Sequence, residues 1–486
     1  MVTKEAEIQR ASRACRLCRT RKKACDKKLP ECGYCIQRGL TCVYGDDSHS
    51  TSAEKAAIFV GSVLAMRSSI PIWLAGDLSP STMQSQSPGL YNSHQGVQDP
   101  AMSLAKAVHA QVDHIIRAAN ISSDYIQERY FRHFHPRLQI LEPRLFQEAI
   151  EQECGVPAPD VTILLLAMYL ITLEPPNDTI YITLRTIFTA VQTSIRTSIA
   201  LIQASLLISC YEYTHGWLDA AYISVGACVR MGRLIGINRL QGSRDDESLK
   251  SDTRETLKLV ESWNLWWGIT ILESALLSEV DENVQKSVSD YHLGDQSPLP
   301  LGSESTVGSS MLRCLKCVPL TVSKDNSDFT RLAQATCLLN RVRRAVTFKI
   351  DYSELAAIDK EIQSYLLLAL NEDRDGCPKA LHSISVAIAV RGLFVLHQRI
   401  LNDVGERQDG YSRNSYAALY TASKMVLDAA KDHYSSSAKP RILFLPLCCR
   451  RNIQDAKAFL TDSGEQHCSA VDLQHLRLAE EALNKR

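Results

Sequence analysis

The sequence predicts two unlike parts: a small N-terminal head stabilised by metal, then a large all-α helical domain. Three observations carry that expectation. Six of the 16 cysteines lie between Cys15 and Cys42. The formal net charge of zero, 54 Lys and Arg against 54 Asp and Glu, hides a basic start on an acidic remainder. Beyond about residue 124, apolar residues recur at helical spacing, with very few of the alternating runs that strands need.

Composition sets the outer limits. At 486 residues the chain has room for several domains, and its 45% hydrophobic and 22% charged residues are ordinary for a globular protein. Wholesale disorder, collagen-like repeats and a small disulfide scaffold are excluded. The longest greasy run, Val161–Leu173, is interrupted by Thr162 and Thr172. It falls short of the ~20 residues that cross a bilayer, so no membrane partner is expected. Lys4, Glu5, Glu7 and Arg10 stand where a secretory signal would be apolar. An intracellular protein is therefore expected, and in that setting clustered cysteines point to metal rather than disulfides.

The cluster reads Cys15-x2-Cys18-x6-Cys25-x6-Cys32-x2-Cys35-x6-Cys42, one pattern used twice. Two residues between thiolates suit a tight turn around a tetrahedral metal. One zinc needs four ligands and two need eight, so six cysteines serve two ions only if two thiolates bridge both. A single-zinc ribbon leaves the last pair unexplained. Between Cys15 and Cys42 the large apolar residues are only Leu17, Leu29, Tyr34, Ile36 and Leu40. Metal must then supply nearly all of the folding free energy of this segment.

Arg19, Thr20, Arg21, Lys22, Lys23 and Ala24 separate the second and third cysteines, and four of these six are cationic. With Arg16 and Leu17 they make about two helical turns. Residues 1 to 44 hold eleven Lys or Arg and four Asp or Glu, a balance of +7. Six thiolates and two Zn²⁺ subtract 2 and leave +5. A compact body that positive attracts phosphates, while sequence is read separately, at base edges.

These residues resemble the fungal Zn2Cys6 binuclear-cluster transcription factors. Ala14-Cys15-Arg16-Leu17-Cys18-Arg19 is similar to the family's opening, Arg21-Lys22-Lys23 to its basic helix, and Cys25-Asp26 to the end of that helix. Pro30, Gly39 and Tyr44 fit as well, and Ala24 departs where a basic residue often precedes the third cysteine. The resemblance implies a Zn2Cys6 head of two short helices around two zinc ions. By it Cys15 and Cys32 bridge, Cys18 and Cys25 complete one zinc, and Cys35 and Cys42 complete the other. It further implies that Lys22, flanked by Arg21 and Lys23, reads a CGG-type triplet in double-stranded DNA, and that Arg16, Arg19, Lys27 and Lys28 hold the backbone. A nuclear, sequence-specific regulator is then expected rather than an enzyme. Its implied partners are the transcription machinery and, where half-sites are paired, a second copy. Its implied targets are the genes of one metabolic pathway, of the kind grouped in fungal secondary-metabolite clusters.

The head occupies residues 1–45 and a linker 46–123. In 76–103, sixteen of 28 positions are Gly, Ser, Pro or Gln, a composition unable to offset ordering entropy. Within the linker, 53–66 is helix-compatible. The stripe Leu104, Val108, Val112, Ile115 and Ala119 reads either as a dimer helix or as a helix packed on the body. The helical domain is placed at 124–450 and a helical or frayed tail at 451–486. Tyr130-Phe131, His133, His135-Pro136 and Ile140 resemble the entry helix of the fungal transcription-factor regulatory domain. His215-Gly216-Trp217, Arg230-Met231-Gly232, Leu234-Ile235-Gly236-Ile237, and Glu261 with Leu265-Trp266-Trp267 and Glu273 are similar to its centre.

Other constellations read as structural. Cys314 and Cys317 lack a partner pair, His133 and His135 read as packing residues, and Asp245-Asp246-Glu247 reads as a solvated run. Trp217, Trp263, Trp266 and Trp267 are assigned to helix–helix core over an effector pocket. No P-loop, dinucleotide fingerprint, nucleophile elbow or H-E-x-x-H motif is present. A second reading, an all-α small-molecule sensor or enzyme with an incidental zinc head, rests on the body alone.

Overall fold

The computed structural model describes residues 14–20, 23–28, 31–38, 42, 100–151, 155–238, 253–279, 287–289, 299–300, 327–348, 350–371, 384–404, 410–435, 449–462 and 469–484. The chain separates into two compact units, residues 1–95 and 96–486. In the first unit the described helices are α1 (Arg16–Thr20) and α2 (Gly33–Gln37). The second is helical throughout its described residues, without a strand.

That second unit opens with α3 (Pro100–Ala118), α4 (Ser123–His133) and a 3-10 turn (His135–Arg137). Then come α5 (Pro143–Ile150), α6 (Pro159–Ile171), α7 (Asp178–Ser194), α8 (Ile199–Thr214), α9 (Leu218–Ile235) and α10 (Thr253–Glu279). The later helices are α11 (Asp328–Thr347), α12 (Tyr352–Asn371), α13 (Ile384–Val404), α14 (Gly410–Ser435), α15 (Cys449–Asp462) and α16 (Ala470–Asn484). The sequence stripes at 332–346, 355–370 and 416–430 fall inside α11, α12 and α14, whereas the one at 381–401 begins ahead of α13.

Local chemistry sets the boundaries. The side chains of Ser122, Asn177, Ser198 and Ser327 each accept from a backbone N–H in the first turn of α4, α7, α8 and α11. Proline opens α5 and α6, where its missing N–H costs nothing. Gly236 ends α9 at φ 80°, the left-handed conformation that glycine adopts without Cβ strain.

Two helices form the centre. α6 is buried from Val161 to Ile171 and α8 from Leu201 to Tyr213, so neither has a wet face. α8 packs between α6 and α9, α9 reaches α10, and α10 joins α11, which lies against α12 and α13. A small second cluster, Leu427, Ala430, Ile453, Leu460, Leu476 and Ala479, ties α14 to α15 and α16. The approach of α10 requires glycine at 268, where a Cβ would stand 2.7 Å from Ile140 and 3.0 Å from Leu206.

Two sequence expectations change on contact with this packing. The stripe placed inside the linker is α3, packed against α6 through Ala105, Val108, Val112 and Ile116. Burial passes to Ile116 where the sequence pattern marked Ile115, and Ala119 is exposed. Second, among the described residues α13 rather than Val161–Leu173 holds the long apolar segment: Ile384–Asp403 is long and apolar enough to cross a membrane, yet 72% of that window is buried inside the body. His135 is a core residue, as its reading as a packing residue expects, and burial of its ring lowers its pKa to about 4, leaving it neutral at pH 7. Trp263, Trp266 and Trp267 are buried in the core and Trp217 packs against it. The pair Cys314 and Cys317, the run Asp245–Glu247 and linker residues 46–99 lie outside the described residues.

Charged groups inside the body are tied to specific partners. Arg391 of α13 pairs with Asp455 of α15, both buried. The carboxylate of Glu273 accepts from the backbone N–H groups of Val288 and Ser289 and from the Ser287 hydroxyl. Glu261 Oε1 accepts from the Glu142 N–H at 2.9 Å and from Gln203 Nε2 at 2.9 Å. Desolvation outweighs these bonds and pushes Glu261 up to about 7. An acid with a raised folded pKa holds its proton longer when folded, so its ionisation lowers stability as pH rises from the ordinary carboxylate range through 7. Glu261→Gln, which keeps the accepting oxygen, should therefore raise the thermal midpoint at pH 8, a gain on the order of 2 kcal/mol. Calorimetry at pH 5 should show that gain all but gone.

Candidate metal centre and nucleic-acid interface

Cys15 and Cys32 each stand one residue ahead of a helix, α1 and α2. The sulfurs converge there. Cys15 Sγ lies 3.7 Å from Cys32 Sγ and 3.8 Å from Cys35 Sγ, and Cys18 Sγ lies 3.7 Å from Cys32 Sγ. The Cys15 N–H points to Cys25 Sγ at 3.4 Å, and the Cys32 N–H points to Cys42 Sγ at 3.2 Å. The same bond thus recurs in both halves of the repeat. Cys15, Cys18, Cys32 and Cys35 are fully buried, Cys25 and Cys42 half-buried, and all six are free thiols.

This donor set fits zinc. Sulfurs on a tetrahedral zinc, ~2.3 Å from the metal, are separated by an edge of about 3.8 Å. Electrostatics argues the same way. Burial opposes ionisation of Cys32, yet the Cys35 N–H and the neighbouring thiols more than offset it and bring Cys32 to about 6. Cys15 is lowered for the same kind of reason, by the Cys18 N–H working against burial. Burial and the adjacent Cys15 and Cys32 sulfurs push Cys18 up to about 12, and Cys35 rises too. Thiols at such separations cannot all ionise unless cations sit among them.

One supporting residue escaped the sequence reading. Asp26 Oδ1 accepts the Gly33 N–H at 3.0 Å and the Lys28 N–H at 3.5 Å, so the carboxylate closes the first turn of α2 from seven residues away. A Cβ at residue 33 would meet Asp26 Oδ2 at 2.9 Å, which is why glycine follows Cys32. The only signal was position: each residue directly follows a cysteine. Lys27, between them, takes φ 61°.

The basic residues divide. Arg19 and Lys23 are exposed, and the Lys23 N–H bonds to Cys18 O at 2.9 Å. The expected two turns are shorter among the described residues. Ala24 is exposed and Lys28 likewise. Arg21, Lys22 and the side chain of Arg16 lie outside the described residues. Asp26→Ala should loosen the cluster, speeding zinc release to a chelator about fivefold, the loss expected of one capping acceptor. Asp26→Asn, which keeps an oxygen there, should release zinc at a rate nearer the wild type.

Comparison with known proteins agrees with this geometry. Residues 13–51 match the fungal Zn(2)-Cys(6) binuclear cluster domain and residues 128–274 match the fungal specific transcription factor domain. The second match runs from α4 to the later turns of α10. Over 121 residues the chain is 26% identical to transcription factor BOA15 of Botryotinia fuckeliana, covering 24% of this chain and 67% of that protein. Over 308 residues, 55% of this chain, it is 23% identical to two citrinin biosynthesis transcriptional activators: mrl3 of Monascus ruber, of which it covers 60%, and ctnR of Monascus purpureus, of which it covers 53%. The chain thus spans little more than half of each activator. No solved structure matches. The cluster domain binds two zinc ions, and both domains are those of transcription factors rather than enzymes. The chain thus carries, in this order, the two domains that characterise the fungal Zn(2)-Cys(6) transcription factors, to which it is similar.

Proposed function

We propose that this chain is a nuclear regulator that reads CGG-type half-sites through the segment after Cys18 and controls a metabolic gene cluster. One observation carries the reading: two copies of a cysteine repeat whose sulfurs stand at tetrahedral edge distances beside a dense run of cations. Cys15 and Cys32 are the bridging thiolates, Cys18 and Cys25 complete one zinc, and Cys35 and Cys42 complete the other. The 3.8 Å approach of Cys15 to Cys35 and the 3.7 Å approach of Cys32 to Cys18 support that division, since each proposed bridge touches a ligand of the opposite zinc. The two activators named for citrinin biosynthesis support control of a biosynthetic cluster.

Zinc supplies structure here, not chemistry. The protein's own residues do the reading: Lys22 donates to guanine O6 and N7, Arg21 and Lys23 flank it, and Arg16 and Arg19 hold phosphates. A second copy of the chain extends the site to paired half-sites, and the transcription machinery is the remaining partner.

Cys15→Ser should leave a chain without either zinc and without specific DNA binding, as elemental analysis and titration with duplex would register. A variant that keeps two ions refutes the bridging role. On CGG-containing duplex, Lys22→Ala should cost tenfold or more in affinity and flatten discrimination against a scrambled triplet, in line with ~1–3 kcal/mol per base contact. Arg19→Ala should weaken both duplexes equally and reduce the salt slope by about one. Equal losses on both duplexes from Lys22→Ala would remove it from the base-reading role.

A further inference from the structure

A helix on the surface of a globular body normally turns charge outward, and α7 does not. None of its exposed residues from Thr179 to Ser194 is ionisable. Ile182, Thr186, Thr189 and Thr193 form one exposed row at steps of four, three and four. The three threonines donate their hydroxyls to carbonyls one turn back, at 2.9, 2.9 and 3.1 Å, which spends the polar group on the helix itself.

α9 lies alongside and runs the same way: Arg185 bonds to Ser224 and, seven residues further along both helices, Gln192 meets Met231. The outer row of α9 is Ala220, Ile223, Ala227, Arg230 and Leu234, at steps of three, four, three and four, the spacing of a helix–helix seam. Ile223 is 67% and Leu234 75% exposed, and the two alanines between and before them leave space for incoming side chains. A face this large with one charge has the composition of an interface centre, where ionisable residues are depleted.

Charge at the rim selects the partner. Asp219 and Arg233 are exposed on one edge of the α9 row, fourteen residues apart. That spacing puts them about 21 Å apart along the axis, too far to pair with each other. In a second α9 laid antiparallel and crossing near residue 226, Asp219 of one copy meets Arg233 of the other, and the pair recurs on the far side of the axis. A twofold contact demands such self-complementarity, because one patch must match itself. Arg233 gives a donor to the Ser289 carbonyl and has others to offer.

We propose that the outer face of α7 and α9 pairs two copies of this chain about a twofold axis, with the α9 helices antiparallel. The proposal rests on the regulator reading for its purpose, since it gives the second copy called for by paired half-sites a surface to hold. Sedimentation of the full zinc-loaded chain without DNA tests it, so a failure of DNA reading cannot mimic its loss. The chain should dimerise at micromolar concentration. Ile223→Asp should weaken the dimer at least tenfold, and Thr189→Arg on α7 should do the same, serving if the first variant does not fold. Asp219→Arg should weaken it as well, and adding Arg233→Asp should restore most of the loss by exchanging the two charges. Affinity for a duplex with a single CGG triplet should stay within twofold of the wild type in every variant. A chain that stays monomeric, which would leave the face to some other protein, overturns the proposal. So does a dimer undiminished in the folded Ile223→Asp or Thr189→Arg variant, or a double exchange no tighter than Asp219→Arg alone.

Discussion

Crowding of buried sulfurs is the constraint on which the head depends. Four fully buried thiols within 4.8 Å of one another form the whole of its buried cluster, with Leu17, Tyr34, Cys25 and Cys42 packed around them. Among the described residues no hydrophobic core draws the segment together, since Ile36 is exposed and the sequence supplies few large apolar side chains. Cations must therefore do what apolar burial does elsewhere: they turn mutual repulsion of thiolates into the closing force. Everything outside the sulfurs follows from that. α1 starts directly after Cys15 and α2 directly after Cys32, so the backbone leaves each of these cysteines already coiled.

The body solves the opposite problem, an excess of apolar surface, and uses buried carboxylates to pin its irregular parts. Glu273 gathers the N–H groups of Val288 and Ser289 onto α10, and Arg233 of α9 holds the Ser289 carbonyl from the other side. Glu212 of α8 takes the Tyr181 hydroxyl at 2.7 Å where Tyr181, Tyr211, His215 and Trp217 stack together. Glu261 ties Glu142 at the entry to α5 to Gln203 on α8. In each case a carboxylate replaces water for backbone or side-chain donors that the packing would otherwise strand.

Much of this was legible in the residues, for physical reasons that also mark where legibility ends. Cysteine spacing states a coordination number, so the metal and its count could be argued before any coordinates. Helical stripes state which face is buried, and α11, α12 and α14 fall where the stripes were. A stripe has a width of one residue in its register, however, and Ile115 against Ile116 in α3 is decided by the surface of α6, which no local pattern contains. Asp26 could not be singled out because its partner, Gly33, is brought to it by the cluster's closure. The segment at 381–401 read as a helical stripe but not as the long apolar run Ile384–Asp403, because Arg391, His397 and Arg399 break it on paper; in space Arg391 meets Asp455 and His397 lies 3.1 Å from Asp359.

Two ways of holding a fold together in one chain give each unit its own vulnerability. The head's buried cluster contains only its own cysteines, and the body's core contains only its own helices. A chelator or a thiol oxidant attacks the sole cohesive element of the first, whereas the second meets such agents with Cys210 and Cys228 buried and their thiols pushed upward by burial. Thiolates are the reactive form, so burial that suppresses ionisation also suppresses oxidation. The head's sulfurs have less refuge, because Cys25 and Cys42 are only half-buried and the Cys35 N–H and neighbouring thiols favour the Cys32 thiolate. Loss of zinc therefore removes the head's cohesive element, while the helical body keeps its own apolar core.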